Sequence, residues 1–199
     1  MDRCSSLKYH RPVRGGLVRA GAFGPCAVSS PVVTSYMIKS EKINHQLQRL
    51  VETCDWRFAV GLRIRFNHPT LLYQTYPAAW VEYYAQNGLL FFDPTVRWGM
   101  THTGTITWAE LESGDTAGVF QQARDYGLVH GIAVSVGDGP MRSMGFFAHS
   151  ERPLTAEETA VALDVVTTLH DLTDGVPDLP ADRIAALQAL GNALRGPAA

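Results

Sequence analysis

Four predicted strands, joined in two pairs by short turns, constrain the fold more than any other feature of this sequence. Residues Phe58 to Phe66 and Thr70 to Tyr76 flank an Asn-His-Pro turn. Residues His130 to Val136 and Ser143 to His149 flank a Gly-Asp-Gly-Pro turn. Strands joined by turns this short run antiparallel. The sequence therefore predicts an antiparallel sheet.

The first predicted strand has the period of two that is typical of a half-buried strand. Its apolar residues are predicted to share one face, and two arginines are predicted to lie on the other. The apolar residues are Phe58, Val60, Leu62, Ile64 and Phe66, and the arginines are Arg63 and Arg65.

Helical periodicity and capping residues predict the elements that cover this sheet. Apolar residues recur at helical spacing from Glu41 to Cys54. Thr155 and Glu158 are typical of a capping box, which here begins a helix that reaches Thr173. Three further helical segments are predicted between the hairpins, at Pro77 to Asn87, from Asp93 onwards, and at Asp115 to Gly127. The predicted fold class is an α/β/α sandwich, with a central antiparallel sheet of about five strands and helices on both faces.

Composition divides the chain into three predicted parts. Residues 1–36 are rich in Gly, Pro, Ser and Arg and show no periodicity, which indicates either a disordered extension or a misassigned start before Met37. Residues 37–176 form the predicted domain, and residues 177–199 form a tail. Hydrophobic residues make up 46% of the chain, enough to fill one core.

Charge and cysteine content argue against several functional classes. A net charge of -2, from 17 Lys and Arg against 19 Asp and Glu, lacks the basic footprint of a nucleic-acid-binding protein. Cys4, Cys26 and Cys54 form neither a Cys-x-x-Cys pair nor a metal-ligand spacing, which favours reduced thiols in a cytoplasmic protein. No apolar run approaches the roughly 20 residues that span a bilayer, so no membrane partner is expected.

Four aromatic residues and one aspartate form the candidate ligand-binding site. Trp80 and Tyr84 are four residues apart and share one helix face. Tyr76 ends the preceding strand, Asp93 caps the next helix, and Trp108 follows. Their convergence would form a pocket for a mostly apolar ligand with one polar head. The alternative is that the aromatic residues are ordinary core and that Asp93 is only a cap.

The order and spacing of these residues resemble the autoinducer-binding domain of LuxR-type quorum-sensing receptors. The resemblance extends from about Glu41 to Thr173. Its motifs are Tyr76-Pro77-Ala78-Ala79-Trp80, Tyr84, Asp93-Pro94-Thr95-Val96, Trp108, Tyr126-Gly127-Leu128 and Gly131. It implies a receptor, not an enzyme, that binds an N-acyl-homoserine lactone and needs no cofactor or metal.

The resemblance also implies a role for each site residue. The Trp80 indole N–H would donate to the lactone carbonyl, the Tyr76 hydroxyl would donate to the amide carbonyl, and Asp93 would accept from the amide N–H. Tyr84 would lie against the acyl chain and Trp108 against the lactone. The head group carries two carbonyls and one N–H, so two donors and one acceptor satisfy it. Without ligand these polar groups would lie in a cavity without hydrogen-bond partners, which costs free energy. We therefore expect the ligand-free form to be poorly stable.

The sequence departs from the family in two places. Ala148 stands on a strand where the family often has Ser or Thr, so we expect one head-group contact to be missing or to be made by Ser135 or water. Phe146 and Phe147 beside it are expected to shorten the acyl cavity. A helix-turn-helix domain of about 60 residues normally follows in the family. Here only residues 179–187 resemble its first helix, so direct DNA binding is not expected.

Three functional hypotheses follow from the sequence. The first is a ligand-binding regulator that forms a homodimer, or a heterodimer that inhibits a full-length LuxR-type regulator, with the helix from Thr155 to Thr173 as the pairing element. The second is a truncated, degenerate receptor without a regulatory role. The third is an enzyme acting on lactones or acyl amides, against which the chain lacks a Gly-x-Ser-x-Gly motif and any metal-ligand spacing among its 7 histidines.

Overall fold

The protein forms a five-stranded antiparallel sheet flanked by helices. The computed structural model describes residues 31–66, 68–138 and 141–194. The strands, in chain order, are β1 (Arg57–Arg65), β2 (His68–Gln74), β3 (Gly104–Thr107), β4 (His130–Val136) and β5 (Arg142–His149). They are arranged β2-β1-β5-β4-β3, and neighbouring strands are antiparallel. Both predicted hairpins are present, and pairing of β1 with β5 joins them into one sheet.

Helices cover both faces of this sheet. In the described residues they are α1 (Pro31–Thr53), α2 (Ala78–Gln86), α3 (Pro94–Thr101), α4 (Trp108–Leu111), α5 (Val119–Arg124), α6 (Ala156–Leu172) and α7 (Ala181–Gln188). The long helices α1 and α6 pack together on one face, and α2 to α5 lie against the other. This arrangement confirms the predicted α/β/α sandwich. Within the described ranges, no helix has both the length and the apolar character needed to cross a bilayer.

The main core lies between the sheet and the pair α1 and α6. Alternate strand residues such as Phe58, Val60 and Phe147 point into it, where they meet Leu47 of α1 and Val166 of α6. All five are buried. The apolar face of α6 is therefore used inside the domain, and pairing through this helix stays a prediction that would involve its exposed residues.

A β-bulge in β1 reverses part of the predicted alternation. The register with β5 shifts between Gly61 and Ile64, and Arg63 has a left-handed φ of 53°. Beyond the bulge, Ile64 faces the opposite side from Leu62, and Phe66 is 95% exposed. The prediction that Leu62, Ile64 and Phe66 share a face was wrong. The extra residue of the bulge places every later side chain of β1 on the opposite face of the strand.

The same bulge buries an arginine that the alternation placed in solvent. Arg63 is only 7% exposed, and its guanidinium donates to the carbonyl of His170. It also lies 3.5 Å from the carboxylate of Asp174. Its backbone N–H donates to the Ser143 hydroxyl at 3.1 Å, and its carbonyl accepts from Thr70 at 3.0 Å. Side chains therefore satisfy the backbone groups that the bulge removes from the ladder.

Three features of the fold were not anticipated from the sequence. Strand β3 has four residues and is too short to show a period. Helix α1 begins at Pro31, before the predicted boundary at 37, while residues 1–30, including Cys4 and Cys26, lie outside the described residues. Helix α7 packs on the edge strand β2. There the side-chain amide of Gln188 accepts from the Leu72 backbone N–H at 2.8 Å and donates to its carbonyl.

The predicted capping box at the start of α6 is confirmed. The Thr155 hydroxyl accepts from the Glu158 N–H at 3.2 Å, and the Glu158 carboxylate accepts from the Thr155 N–H at 2.7 Å. Both oxygens of Glu158 also accept from Arg152, at 2.9 and 2.7 Å. These hydrogen bonds, with that from Arg152 foremost, lower the pKa of Glu158 to about 2. The neighbouring thiol of Cys54 is free, and burial together with Glu158 raises its pKa to about 11.

This cap predicts a pH-dependent loss of stability. Because the pKa of Glu158 is lower in the folded domain than in the unfolded chain, its contribution is complete above the unfolded value of about 4.3 and is lost as pH falls towards 2. Glu158→Gln should therefore destabilise the domain at pH 7, and the difference from wild type should shrink below about pH 4.5. Thr155→Ala should cost about 1 kcal/mol of unfolding free energy.

Urea unfolding at a series of pH values measures both effects. Glu157→Gln, at the exposed neighbouring position of the same helical turn and without the Arg152 contacts, is the control for loss of one carboxylate. An equal effect of Glu157→Gln and Glu158→Gln at pH 7 would contradict the assignment.

Candidate ligand-binding site

A cavity of about 310 Å³ lies between the sheet and the layer formed by α2 to α5. Its walls come from β1, β2 and β5 on one side and from these helices on the other. Five of the seven predicted site residues line it: Tyr76, Trp80, Tyr84, Asp93 and Trp108. They gather at one end of the cavity, and the rest of the lining is almost entirely apolar. Trp80 and Trp108 also belong to a buried apolar cluster, against which Tyr76 and Tyr84 pack, so these residues both line the cavity and contribute to the core.

Helix α2 positions the two aromatic residues that are four residues apart. Pro77 occupies the N-cap position, and Gly88 follows the helix with a left-handed φ of 61°. Trp80 and Tyr84 consequently lie on one face with ring centroids 5.5 Å apart, in an edge-to-face arrangement. Trp80 is 4% exposed, and its indole N–H has no hydrogen-bond acceptor among the described residues. This donor is available to a ligand.

Asp93 is the buried charge of the site. As the N-cap of α3, its Oδ1 accepts from the Thr95 backbone N–H at 2.8 Å and from the Thr95 hydroxyl at 2.6 Å. Its Oδ2 accepts from the Tyr84 hydroxyl at 2.9 Å. Burial raises the pKa of Asp93, although these hydrogen bonds oppose the shift. Carboxylate oxygens have about four acceptor sites in total, so a lone pair remains for a further donor.

The two tyrosines of the site remain protonated hydroxyl donors. Burial, and then the nearby Asp93 carboxylate, raise the pKa of both Tyr76 and Tyr84. The Tyr76 hydroxyl donates to the backbone carbonyl of Phe146 at 3.2 Å. That hydrogen bond is long, so a better-placed carbonyl on a ligand could compete for it.

Trp108 forms the wall at the polar end of the cavity. Its ring stacks on Phe120 with centroids 5.0 Å apart, and a second cavity of about 320 Å³ lies beyond this pair. A Cβ at Gly131 would lie 2.2 Å from the Trp108 ring, so the ring requires a glycine beneath it. Among the described residues, the Trp108 indole N–H is the one side-chain polar atom that is completely enclosed and has no hydrogen-bond partner.

The structure does not bring the last two predicted residues into the cavity. Ser135 is fully buried beneath α3, where its hydroxyl donates to the Gly99 carbonyl at 2.8 Å. It is therefore engaged and cannot replace the contact that Ala148 lacks. Ala148 packs with Trp80 and Trp108 outside the cavity lining.

One of the two neighbouring phenylalanines was also predicted wrongly. Phe146 lines the cavity as expected. Phe147 points to the opposite face of the sheet, where it packs on Trp56 with ring centroids 4.8 Å apart. Because adjacent strand residues face opposite ways, only one of the pair can limit the cavity.

Several lining residues were missed from the sequence. Leu72 and Gln74 precede Tyr76 at intervals of two, so strand alternation could have placed them on the same face. Gly61, Met100 and Met144 carried no signal of this kind. No group of three or more His, Cys, Asp or Glu able to hold a metal occurs within the described residues.

Comparison with known proteins identifies the family. The model of the family described as "Autoinducer binding domain" matches residues 40–172. The chain belongs to this family. It is thus a LuxR-type autoinducer-binding domain, and the residues that line the polar end of the cavity all lie within the matched range.

The named relatives are transcriptional regulators. The chain is 37% identical over 89 residues to the transcriptional activator protein SolR of Ralstonia solanacearum. The matched stretch is 44% of this chain and 37% of SolR. It is 31% identical over 87 residues to the activator LuxR of Aliivibrio fischeri, covering 40% and 34% of the two chains. The matched stretches span little more than a third of either relative.

Solved structures share the fold. A crystal structure of Escherichia coli SdiA matches with a TM-score of 0.52 at 20% identity, and covers 70% of this chain and 62% of that one. SdiA in complex with octanoyl-rac-glycerol matches with a TM-score of 0.50 at 21% identity, and covers 71% and 60%. At this identity the likeness concerns the architecture alone.

The geometry at Asp93 predicts opposite effects on affinity and stability. Asn caps a helix about as well as Asp but cannot accept a ligand N–H at the position of its amide nitrogen. The pKa of Asp93 is higher in the folded domain than in the unfolded chain, where it is about 3.9. Ionisation of this carboxyl above that pH therefore lowers the stability of the folded domain. Asp93→Asn should therefore leave the ligand-free domain as stable or more stable at pH 7, while weakening ligand binding about 10- to 100-fold.

Thermal unfolding without ligand and calorimetric titration with ligand measure the two effects. Asp125→Asn, at the exposed C-terminal end of α5, is the control for loss of one carboxylate. Wild-type affinity in Asp93→Asn would show that the carboxylate does not contact the ligand.

Proposed function

We propose that this domain binds an N-acyl-homoserine lactone in the cavity between the sheet and α2 to α5. The observation that carries the proposal is the grouping of two donors and one acceptor at one end of an apolar cavity. The indole N–H of Trp80 and the hydroxyl of Tyr76 are the donors, and Asp93 is the buried acceptor. This set complements the two carbonyls and one N–H of the ligand head.

The energetics divide recognition between head and chain. A neutral hydrogen bond contributes about 1 kcal/mol and one to a carboxylate about 1.5–3 kcal/mol. Each buried methylene contributes about 0.8 kcal/mol. The acyl chain therefore supplies most of the affinity, and the polar groups select the head. The same reasoning favours a receptor over an enzyme, since the polar groups here hold a ligand but include no activated nucleophile.

An acylglycerol is the competing ligand class. The related SdiA has been solved in complex with octanoyl-rac-glycerol, which joins an acyl chain to a glycerol head. Such a head has hydroxyl donors but no amide N–H. Asp93 distinguishes the two classes, because an amide N–H donates to it in a fixed direction whereas a hydroxyl rotates to suit other acceptors.

Thermal unfolding with a panel of ligands tests the proposal. A lactone at 100 times its dissociation constant should stabilise the domain by about 2.7 kcal/mol and raise its melting temperature by about 5–10 °C. Octanoyl-rac-glycerol and the matching free fatty acid are the comparison ligands. A shift with the acylglycerol but with no lactone would replace the proposed ligand. No shift with either class would favour a degenerate receptor.

We propose further that the liganded domain regulates through a partner protein. Its balance of 17 basic against 19 acidic residues does not supply the basic surface that holds DNA phosphates. The proposed partner is a full-length LuxR-type regulator of the same family, and the pairing would weaken binding of that regulator to its palindromic operator.

Size-exclusion chromatography of the purified domain with a purified full-length LuxR-type regulator, with and without lactone, tests this role. Co-elution and a weaker gel shift of operator DNA are expected. Separate elution in both conditions, or specific binding of operator DNA by the domain alone, would contradict it.

A further inference from the structure

The two ends of helix α3, which forms part of the cavity wall, are held in different ways. Thr95, Val96 and Met100 of this helix line the cavity. At the N-terminal end, the Asp93 carboxylate caps the helix and accepts from the Tyr84 hydroxyl of α2 at 2.9 Å. The C-terminal end is held by the sheet instead. Both attachments bear on where the helix, and Asp93 with it, lies against the cavity.

Gly99 is the point at which α3 approaches strand β5 most closely. A Cβ at this position would lie 2.7 Å from Sδ of Met144, which is buried and also lines the cavity. Glycine is a poor helix former, so helix propensity does not explain its presence in α3. The close approach of helix and sheet does, because a larger residue would push α3 away from β5.

Arg142 reaches this end of α3 from the first position of β5. Arg142, Met144 and Phe146 are two residues apart from one another, so they share the face of β5 that points towards the cavity. Nη1 of Arg142 donates to the carbonyl of His102 at 2.7 Å and to that of Gly99 at 3.3 Å. One side chain of the sheet therefore contacts two backbone carbonyls at the end of the helix.

A neighbouring hydroxyl reinforces this attachment. Ser135 of β4 donates to the Gly99 carbonyl at 2.8 Å, and its Oγ lies 3.5 Å from Nη1 of Arg142. Strands β4 and β5 thus each supply one donor to the same helical residue.

The positive charge of Arg142 is directed at the end of the helix. Carbonyls in the last turn of a helix lack partners within it and carry a partial negative charge that a cation stabilises. No ion pair among the described residues includes Arg142. Its guanidinium therefore bonds to helix-end carbonyls where a surface arginine would commonly face a carboxylate.

On the basis of the proposed function, we propose that Arg142 is a positioning residue for ligand binding. It fastens the C-terminal end of α3 to the sheet and so holds Asp93, at the other end of the helix, in place for the ligand N–H. Gly99 lies about 9 Å from Asp93 along the helix axis. Within the described residues, the Asp93 carboxylate and the Arg142 guanidinium share no hydrogen-bond partner. The effect of Arg142 on the ligand therefore passes through α3.

A double-mutant cycle tests this connection. Effects of mutations at separate sites without shared partners normally add. Here they should not, because Arg142 acts on the ligand through Asp93. Arg142→Met should weaken binding of N-octanoyl homoserine lactone about tenfold in the wild-type background but less than about threefold in Asp93→Asn, as measured by calorimetric titration. An equal loss in both backgrounds, or no loss in either, would overturn the proposal.

Two further variants serve as a rescue and as a control. Arg142→Lys keeps the positive charge and a donor, and should lose only about threefold in affinity. Arg124→Met removes an arginine of α5 whose guanidinium bonds to the side chains of Gln121 and Glu112, and should leave affinity unchanged. A tenfold loss in Arg124→Met as well would overturn the assignment to Arg142. Should Arg142→Met fail to fold, the same cycle applies to Arg142→Lys.

Amide hydrogen exchange of the ligand-free protein tests the attachment without a ligand. Exchange in residues 96–102 should be about tenfold faster in Arg142→Met than in wild type, while exchange in α6 stays the same. Unchanged exchange in α3, or equal acceleration in α3 and α6, would overturn the role of Arg142 in holding this helix. Failure of every lactone to bind the wild type would instead remove the proposed function, and the exchange result would still show whether Arg142 holds α3.

Discussion

A buried carboxylate holds the polar end of this domain together. Asp93 begins α3, fixes Thr95 and anchors Tyr84 of α2, so two helices depend on one side chain that is only 9% exposed. A charge in such a place is costly unless it is fully hydrogen-bonded, and three protein donors do not exhaust its acceptor sites. A ligand N–H would complete the set. Local structure, stability and recognition are therefore linked at one residue.

The two faces of the sheet have different roles. One face is packed solidly against α1 and α6, with Phe58 and Phe147 at full burial. The other face carries small residues on β1 and is separated from α2 and α3 by the cavity. A domain that leaves such a cavity empty loses packing contacts along its walls. The rigid core can hold the sheet in shape while ligand binding supplies the missing contacts on the other face.

Local sequence signals predicted the elements wherever a residue's role depends on its neighbours in the chain. Hairpin turns, the Thr155 and Glu158 capping box, and Asp93-Pro94 at the start of α3 each act within a few residues. Likewise, the spacing of Trp80 and Tyr84 placed both on one face of α2. The predictions failed where distant strands decide the outcome. A bulge in β1 turned Ile64 to the opposite face and buried Arg63. Helix α3 packs over Ser135, whose hydroxyl donates to the Gly99 carbonyl in that helix.

The sequence by itself determined the antiparallel hairpins, the capped helices, the α/β/α layers and five residues of the candidate site, because these follow from period, turn chemistry and motif order. Only the tertiary structure decided which strand and helix residues complete the lining of the cavity. Gly61, Leu72 and Met100 come from two strands and a helix, and their meeting depends on strand register and on one bulge. Register is a property of paired strands, so no single segment of the sequence contains it.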